Sequence, residues 1–182
     1  MYKGTNPSAI RSQKMISNSL IALMQKRPFE QISITKIMET SELARQTFYQ
    51  VFDSKDEVLE YYLDGLLIEY LNRCKIETVN NLCDAAKLFF QFFHENESFV
   101  ELLAQNEKNC ILQKKCDEYL QDEHFLKFTE SGIKNPLEKT FASSFITSGL
   151  VGMLINWIQN GKKMSIDELA KLVCRITGTD DD

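Results

Sequence analysis

The chain has 182 residues, a formal net charge of −5, 43% apolar and 26% charged residues, the make-up of a soluble globular protein with one sizeable core or a small head on a larger body. Five cysteines are an odd number and include no C-x-x-C pair. They are therefore expected as free thiols of a reducing cytoplasm, with a zinc or redox site built on some of them and His94 or His124 as the lesser alternative.

Seven glycines and three prolines leave long uninterrupted runs, which favours helices over short strands. Residues 1–7 have no apolar stretch behind their charge, so no secretory signal is expected. A first helix is predicted over residues 8–26, where Ile16, Leu20, Leu23 and Met24 form one apolar stripe and Pro28 ends the run. Ser33 is a candidate N-cap for a short second helix holding Ile34, Ile37 and Met38 inside. A turn at residues 40–42 leads to a third helix over 44–51. There Phe48, Val51 and Phe52 recur at helical spacing, and Arg45, Gln46, Tyr49 and Gln50 fall on the other face.

Ser54 and Glu57 stand at capping-box spacing and open a long helix through Tyr70. More helices are predicted at 80–95, 98–106, 108–129, 137–160 and 166–177, with Gly161 and Gly178 where C-terminal caps belong. Ser165 and Glu168 form a second capping box. Residues 140–161 carry no charge, which is a membrane-spanning length. Seven polar side chains in that stretch, from Ser143 to Asn160, favour burial in protein instead, and no membrane association is expected. The fold class read from this pattern is all-α: a three-helix head at 1–55 and a helical body at 56–182.

Residues 1–55 hold eight basic side chains against four acidic ones, a balance of +4, which leaves −9 for the remainder. A basic head on an acidic body fits a polyanionic partner for the head. Two short helices joined by a tight turn match the helix-turn-helix pattern, whose second helix is sized for the major groove.

Thr47-Phe48-Tyr49-x-x-Phe52, followed by Ser54-Lys55-x-Glu57-x-Leu59, resembles the DNA-binding region of the TetR family, and the detailed similarity covers residues 10–65. The resemblance implies that Arg45, Gln46 and Gln50 face base edges, and that Thr47, Tyr49 and Lys55 meet phosphate. It further implies that Ser33 and Thr35 present the second helix to the backbone, with Lys36 adding charge nearby. Two positions depart from the family pattern: Glu42 stands where the turn has Gly, and Ala44 where the recognition helix begins with Ser or Thr.

A recognition helix reads few base pairs, so a homodimer on double-stranded operator DNA is expected. The uncharged helix, with Phe145, Ser148, Gly152 and Trp157, is the candidate interface, as the resemblance also implies. Among the middle aromatics, Phe89 and Phe93 with His94, Tyr119 and His124 are candidates for lining an effector pocket. The function expected is a cytoplasmic repressor released from its operator by an unknown small hydrophobic effector. The alternative is a DNA-binding accessory factor whose body takes a protein partner. No catalytic motif, metal-ligand spacing or cofactor loop is present, so neither an enzyme nor a cofactor is expected.

Overall fold

The computed structural model describes residues 1–77, 79–120 and 135–179. Among them are nine α-helices and no strand. His124, Phe125, Phe128, the expected helix end near 129 and the acidic tail at 180–182 lie outside the described residues.

The chain divides into two compact units, Met1–Leu66 and Leu67–Asp182. The sequence-based division stood at 55/56, where the three-helix pattern ends.

The first unit holds α1 (Pro7–Met24), α2 (Ile34–Thr40), α3 (Arg45–Val51) and the opening turns of α4 (Lys55–Ile76). Asn6 caps α1, accepting the Ser8 N–H, and proline at the first helical position suits a turn whose amides lack partners anyway. α1 ends at Met24, ahead of the predicted stop, and a single 3-10 turn (Phe29–Gln31) leads into α2. Ile16, Leu20, Ile37, Phe48 and Phe52 are all at most 1% exposed and form the core of this unit. At the start of α4 the Glu57 N–H donates to Ser54 Oγ, as the capping box requires. The Glu57 carboxylate, however, reaches back to the Asp53 N–H, one residue earlier than the motif specifies.

The second unit continues α4 and adds α5 (Leu82–Glu95), α6 (Glu97–Gln105), α7 (Asn109–Leu120), α8 (Pro136–Gln159) and α9 (Ile166–Thr177). α9 packs on α5, while α8 lies mainly against α7 and also touches α6 and α5. Both expected glycine caps are present: Gly161 and Gly178 adopt left-handed φ values of 74° and 68°. The Ser165/Glu168 capping box forms in full at the start of α9. By length and composition α8 could cross a membrane, yet Leu150, Val151 and Leu154 on one side are buried.

One sequence expectation is corrected. Cys83 on α5 and Cys174 on α9 are joined as a disulfide, with Cα atoms 5.7 Å apart, leaving Cys74, Cys110 and Cys116 free. The partners are 91 residues apart in sequence, so no local spacing could have announced the pair. It arises only because α9 returns to lie on α5.

Candidate nucleic-acid interface

The geometry of α3 follows from its three apolar residues. Phe48, Val51 and Phe52 are 0%, 3% and 1% exposed. The Phe48 ring meets Tyr49 edge-on at 5.5 Å and Phe52 at 6.0 Å, and Phe52 in turn meets Tyr61 of α4. With that side spent on the core, the helical period turns Arg45, Gln46, Tyr49 and Gln50 outward, and all four are exposed. Thr47 is half-buried, its N–H donating to the Ala44 carbonyl.

α2 is capped by Ser33, whose Oγ accepts the Lys36 N–H at 3.1 Å. Ser33 and Thr35 are exposed beside that terminus, where free amides and the helix dipole favour an anion. The Lys36 ammonium pairs with Glu39 at 3.1 Å, an exposed contact that solvent and salt weaken.

The turn explains how the chain manages without glycine. Leu43 N–H donates to Met38 C=O and Glu42 N–H to Glu39 C=O, the two bonds of a Schellman motif. Glu42 occupies its left-handed position at φ 56°. Buried Ser41 adds a bond from its hydroxyl to Met38 C=O, so the turn keeps its shape at a backbone cost glycine would avoid. Ala44, at the N-cap of α3, makes no side-chain capping bond. Ala44→Ser is therefore expected to raise stability by about 1 kcal/mol in urea denaturation. An unchanged midpoint would mean that water already satisfies those amides.

Lys55 is engaged more deeply than its sequence position suggested. Its Nζ donates to the carbonyls of Phe29 and Ile32, both at 2.8 Å, and lies 4.3 Å from the centre of the Phe29 ring. The ammonium thus ties the start of α4 to the connection between α1 and α2.

An N-terminal arm, absent from the sequence-based expectations, completes the unit. Tyr2 N–H donates to Val51 C=O at 2.8 Å, and Tyr2 C=O accepts from Gln13 Nε2 at 3.0 Å. The Met1 amine lies 2.8 Å from Glu57 and 3.3 Å from Asp53, and the Glu57 hydrogen bond is the largest cause holding its pKa above the ordinary value. The signal for this arm was Gln13 itself, a long polar side chain on the buried stripe of α1. Such a group needs an internal partner.

Four of the five candidate pocket residues of the second unit, Phe89, Phe93, His94 and Tyr119, are among the described residues. Phe89 and Phe93 are fully buried with ring centres 4.8 Å apart, and Phe90, Phe92 and Tyr70 interlock with them. Burial pushes the Tyr70 hydroxyl well above its ordinary pKa. His94 is exposed, with Nδ1 2.8 Å from Glu97 and its ring edge-on to Trp157, and Tyr119 is half-buried on α7.

On α8, Phe145, Ser148 and Gly152 share an exposed face with Phe141, and the two phenylalanines are 68% and 67% exposed. Trp157 is 8% exposed, and its Nε1–H donates to Met164 C=O at 2.7 Å, closing the α8–α9 turn within its own unit. Beside it runs an open groove of about 440 Å³ lined by Gly152, Asn156, Met164 and Leu169. Among the described residues, no group of three or more His, Cys, Asp or Glu side chains is placed to hold a metal ion.

Residues 80–178 match a TetR-type family model described as a transcriptional regulator C-terminal region. Over 101 residues, 56% of this chain, the sequence is 29% identical to the HTH-type dhaKLM operon transcriptional activator DhaS of Lactococcus lactis subsp. lactis (strain IL1403). That match spans about half the length of this curated relative, 53%. The fold is similar to that of the dihydroxyacetone kinase operon activator DhaS, at TM-score 0.60 and 22% identity over 92% of this chain and 94% of that one. It is also similar to Lin0861 from Listeria innocua, at TM-score 0.79 and 14% identity over 98% and 95%. A TetR transcriptional regulator from Streptococcus agalactiae 2603V aligns at TM-score 0.66 and 17% identity over 96% of each chain.

Proposed function

This chain belongs to the TetR family of transcriptional regulators, and from that premise we propose that it works as a cytoplasmic homodimer laying one α3 per protomer in the major groove of operator DNA. The observation that carries the reading is the division of α3 into a buried apolar side and an exposed side of Arg45, Gln46, Tyr49 and Gln50. Arginine matches the acceptor pair of guanine, and glutamine the acceptor and donor of adenine. Tyr49, Thr47, Ser33 and Thr35 are suited to phosphate, with Lys36 and Lys55 supplying charge. The exposed face of Phe145, Ser148 and Gly152 on α8 supports pairing of two copies, since small residues let a second helix approach and two bare phenyl rings favour burial.

How the protein is regulated has two readings. In the first it is a repressor released by a small hydrophobic ligand. In the second the C-terminal unit receives a protein partner. The interlocked, fully buried rings of Phe89, Phe90, Phe92 and Phe93 favour the second, because they spend the aromatic stretch on the core.

Selection from a random duplex library tests the DNA reading. The expected product is an inverted repeat with half-site centres about one or more helical turns apart. A single unpaired half-site would remove the dimer, and no enrichment at all would remove DNA recognition by α3.

A further inference from the structure

We propose that Gln13 is a positioning residue for DNA recognition, acting through the N-terminal arm to hold the C-terminal end of α3 in place. This rests on the reading of α3 as the recognition helix.

The last carbonyls of any helix lack intrahelical partners. In α3 the shortage is acute, because the helix has two turns and the chain leaves it abruptly at Phe52, φ −143°. The Val51 carbonyl is answered by Tyr2 N–H at 2.8 Å. A free arm could not hold that bond, since ordering several terminal residues costs more than one hydrogen bond returns.

The Met1 amine fastens the arm to Glu57 and Asp53, and Gln13 supplies the attachment to α1. It is 3% exposed, and its Nε2 donates to the carbonyl of the same Tyr2 at 3.0 Å. One arm residue therefore bridges α1 to the end of α3 through its two backbone groups. The Tyr2 side chain closes the arm on itself, its hydroxyl accepting the N–H of Asn6, the α1 cap. The bridge ends two residues from Tyr49 and one from Gln50, the distal part of the exposed face. Loosening it lets that end of the helix tilt, which misplaces side chains that read bases while leaving non-directional charge attraction intact.

The test uses the full chain, Gln13→Leu, a variant lacking residues 2–5, and the two changes combined. Two duplexes are used: one selected by the wild-type chain from a random library, and a scrambled duplex of the same length. Gln13→Leu is expected to weaken the selected duplex about tenfold and the scrambled one less than twofold. The amide of Phe52, bonded to Phe48 C=O, should exchange with solvent at least tenfold faster.

Deleting the arm should reproduce both effects, at least as strongly because it also displaces the Met1 amine from Glu57 and Asp53, and the combined variant should be no worse than the deletion, because the bridge through Gln13 is already cut. Multiplying losses, equal losses on both duplexes, or unchanged Phe52 exchange in both single variants would each overturn the proposal. Should Gln13→Leu fail to fold, the arm deletion alone decides on the same two readouts. Failure of the wild-type chain to select any duplex overturns the DNA reading and this role with it. Unchanged exchange beside intact selection overturns this role alone.

Discussion

Lys55→Met lowers the stability of the N-terminal unit by about 2–3 kcal/mol, as read from urea denaturation of the full chain. The ammonium makes two charge-assisted hydrogen bonds, to the Phe29 and Ile32 carbonyls, and sits over the Phe29 ring. A hydrogen bond to a charged group is worth about 1.5–3 kcal/mol, and the ring contact about 0.5–1 kcal/mol where water reaches it. The Phe29 carbonyl keeps its bond from Ile32 N–H, so the loss falls mainly on the Ile32 carbonyl and the total stays near the lower end of that sum. Methionine preserves most of the side-chain volume, which confines the change to the charge and its bonds.

The same variant measures the DNA role separately. An ammonium holding two carbonyls retains a third N–H and its charge, so the log–log salt dependence of DNA binding is expected to fall by about one unit. A stability loss with an unchanged salt slope would make Lys55 a brace of the head and remove it from the phosphate contacts.

The second large effect concerns base reading. Arg45→Ala and Gln46→Ala are each expected to cost about 1–3 kcal/mol of discrimination at particular base pairs of the selected duplex, while leaving unfolding within about 0.5 kcal/mol. Both side chains are exposed, so truncation empties no core space. Competition between the selected duplex and its single-base variants provides the measurement. If both proteins keep full discrimination at every position, α3 does not face the groove through its N-terminal half, and the recognition surface must be sought nearer Tyr49 and Gln50.

Glu42 and Ala44 illustrate how local rules bend without breaking. Each departs from the residue the turn would favour, and each is accommodated by backbone bonds: the Schellman pair around Glu42, and Thr47 N–H to Ala44 C=O at the start of α3. A helix-turn-helix is therefore specified less by its turn residues than by the apolar anchors on either side, Ile37, Met38, Phe48 and Phe52, all at most 2% exposed.

The helical class, the positions of the helices and the outward face of α3 were all readable from the chain itself, because a period of 3.6 residues converts apolar spacing directly into burial. Capping residues at Ser33, Ser165, Gly161 and Gly178 were readable for the same reason: their partners lie within a few residues. What only the tertiary structure decided involves partners remote in sequence. Tyr2 meets Val51, Lys55 meets Phe29 and Ile32, and Cys83 meets Cys174. Periodicity also left open whether Phe89 and Phe93 line a pocket or fill a core, since either use places them inside. The contacts among Phe89, Phe90, Phe92 and Phe93 lie within α5, whereas the Tyr70 ring of α4 set against Phe89 and Phe92 depends on how two helices pack.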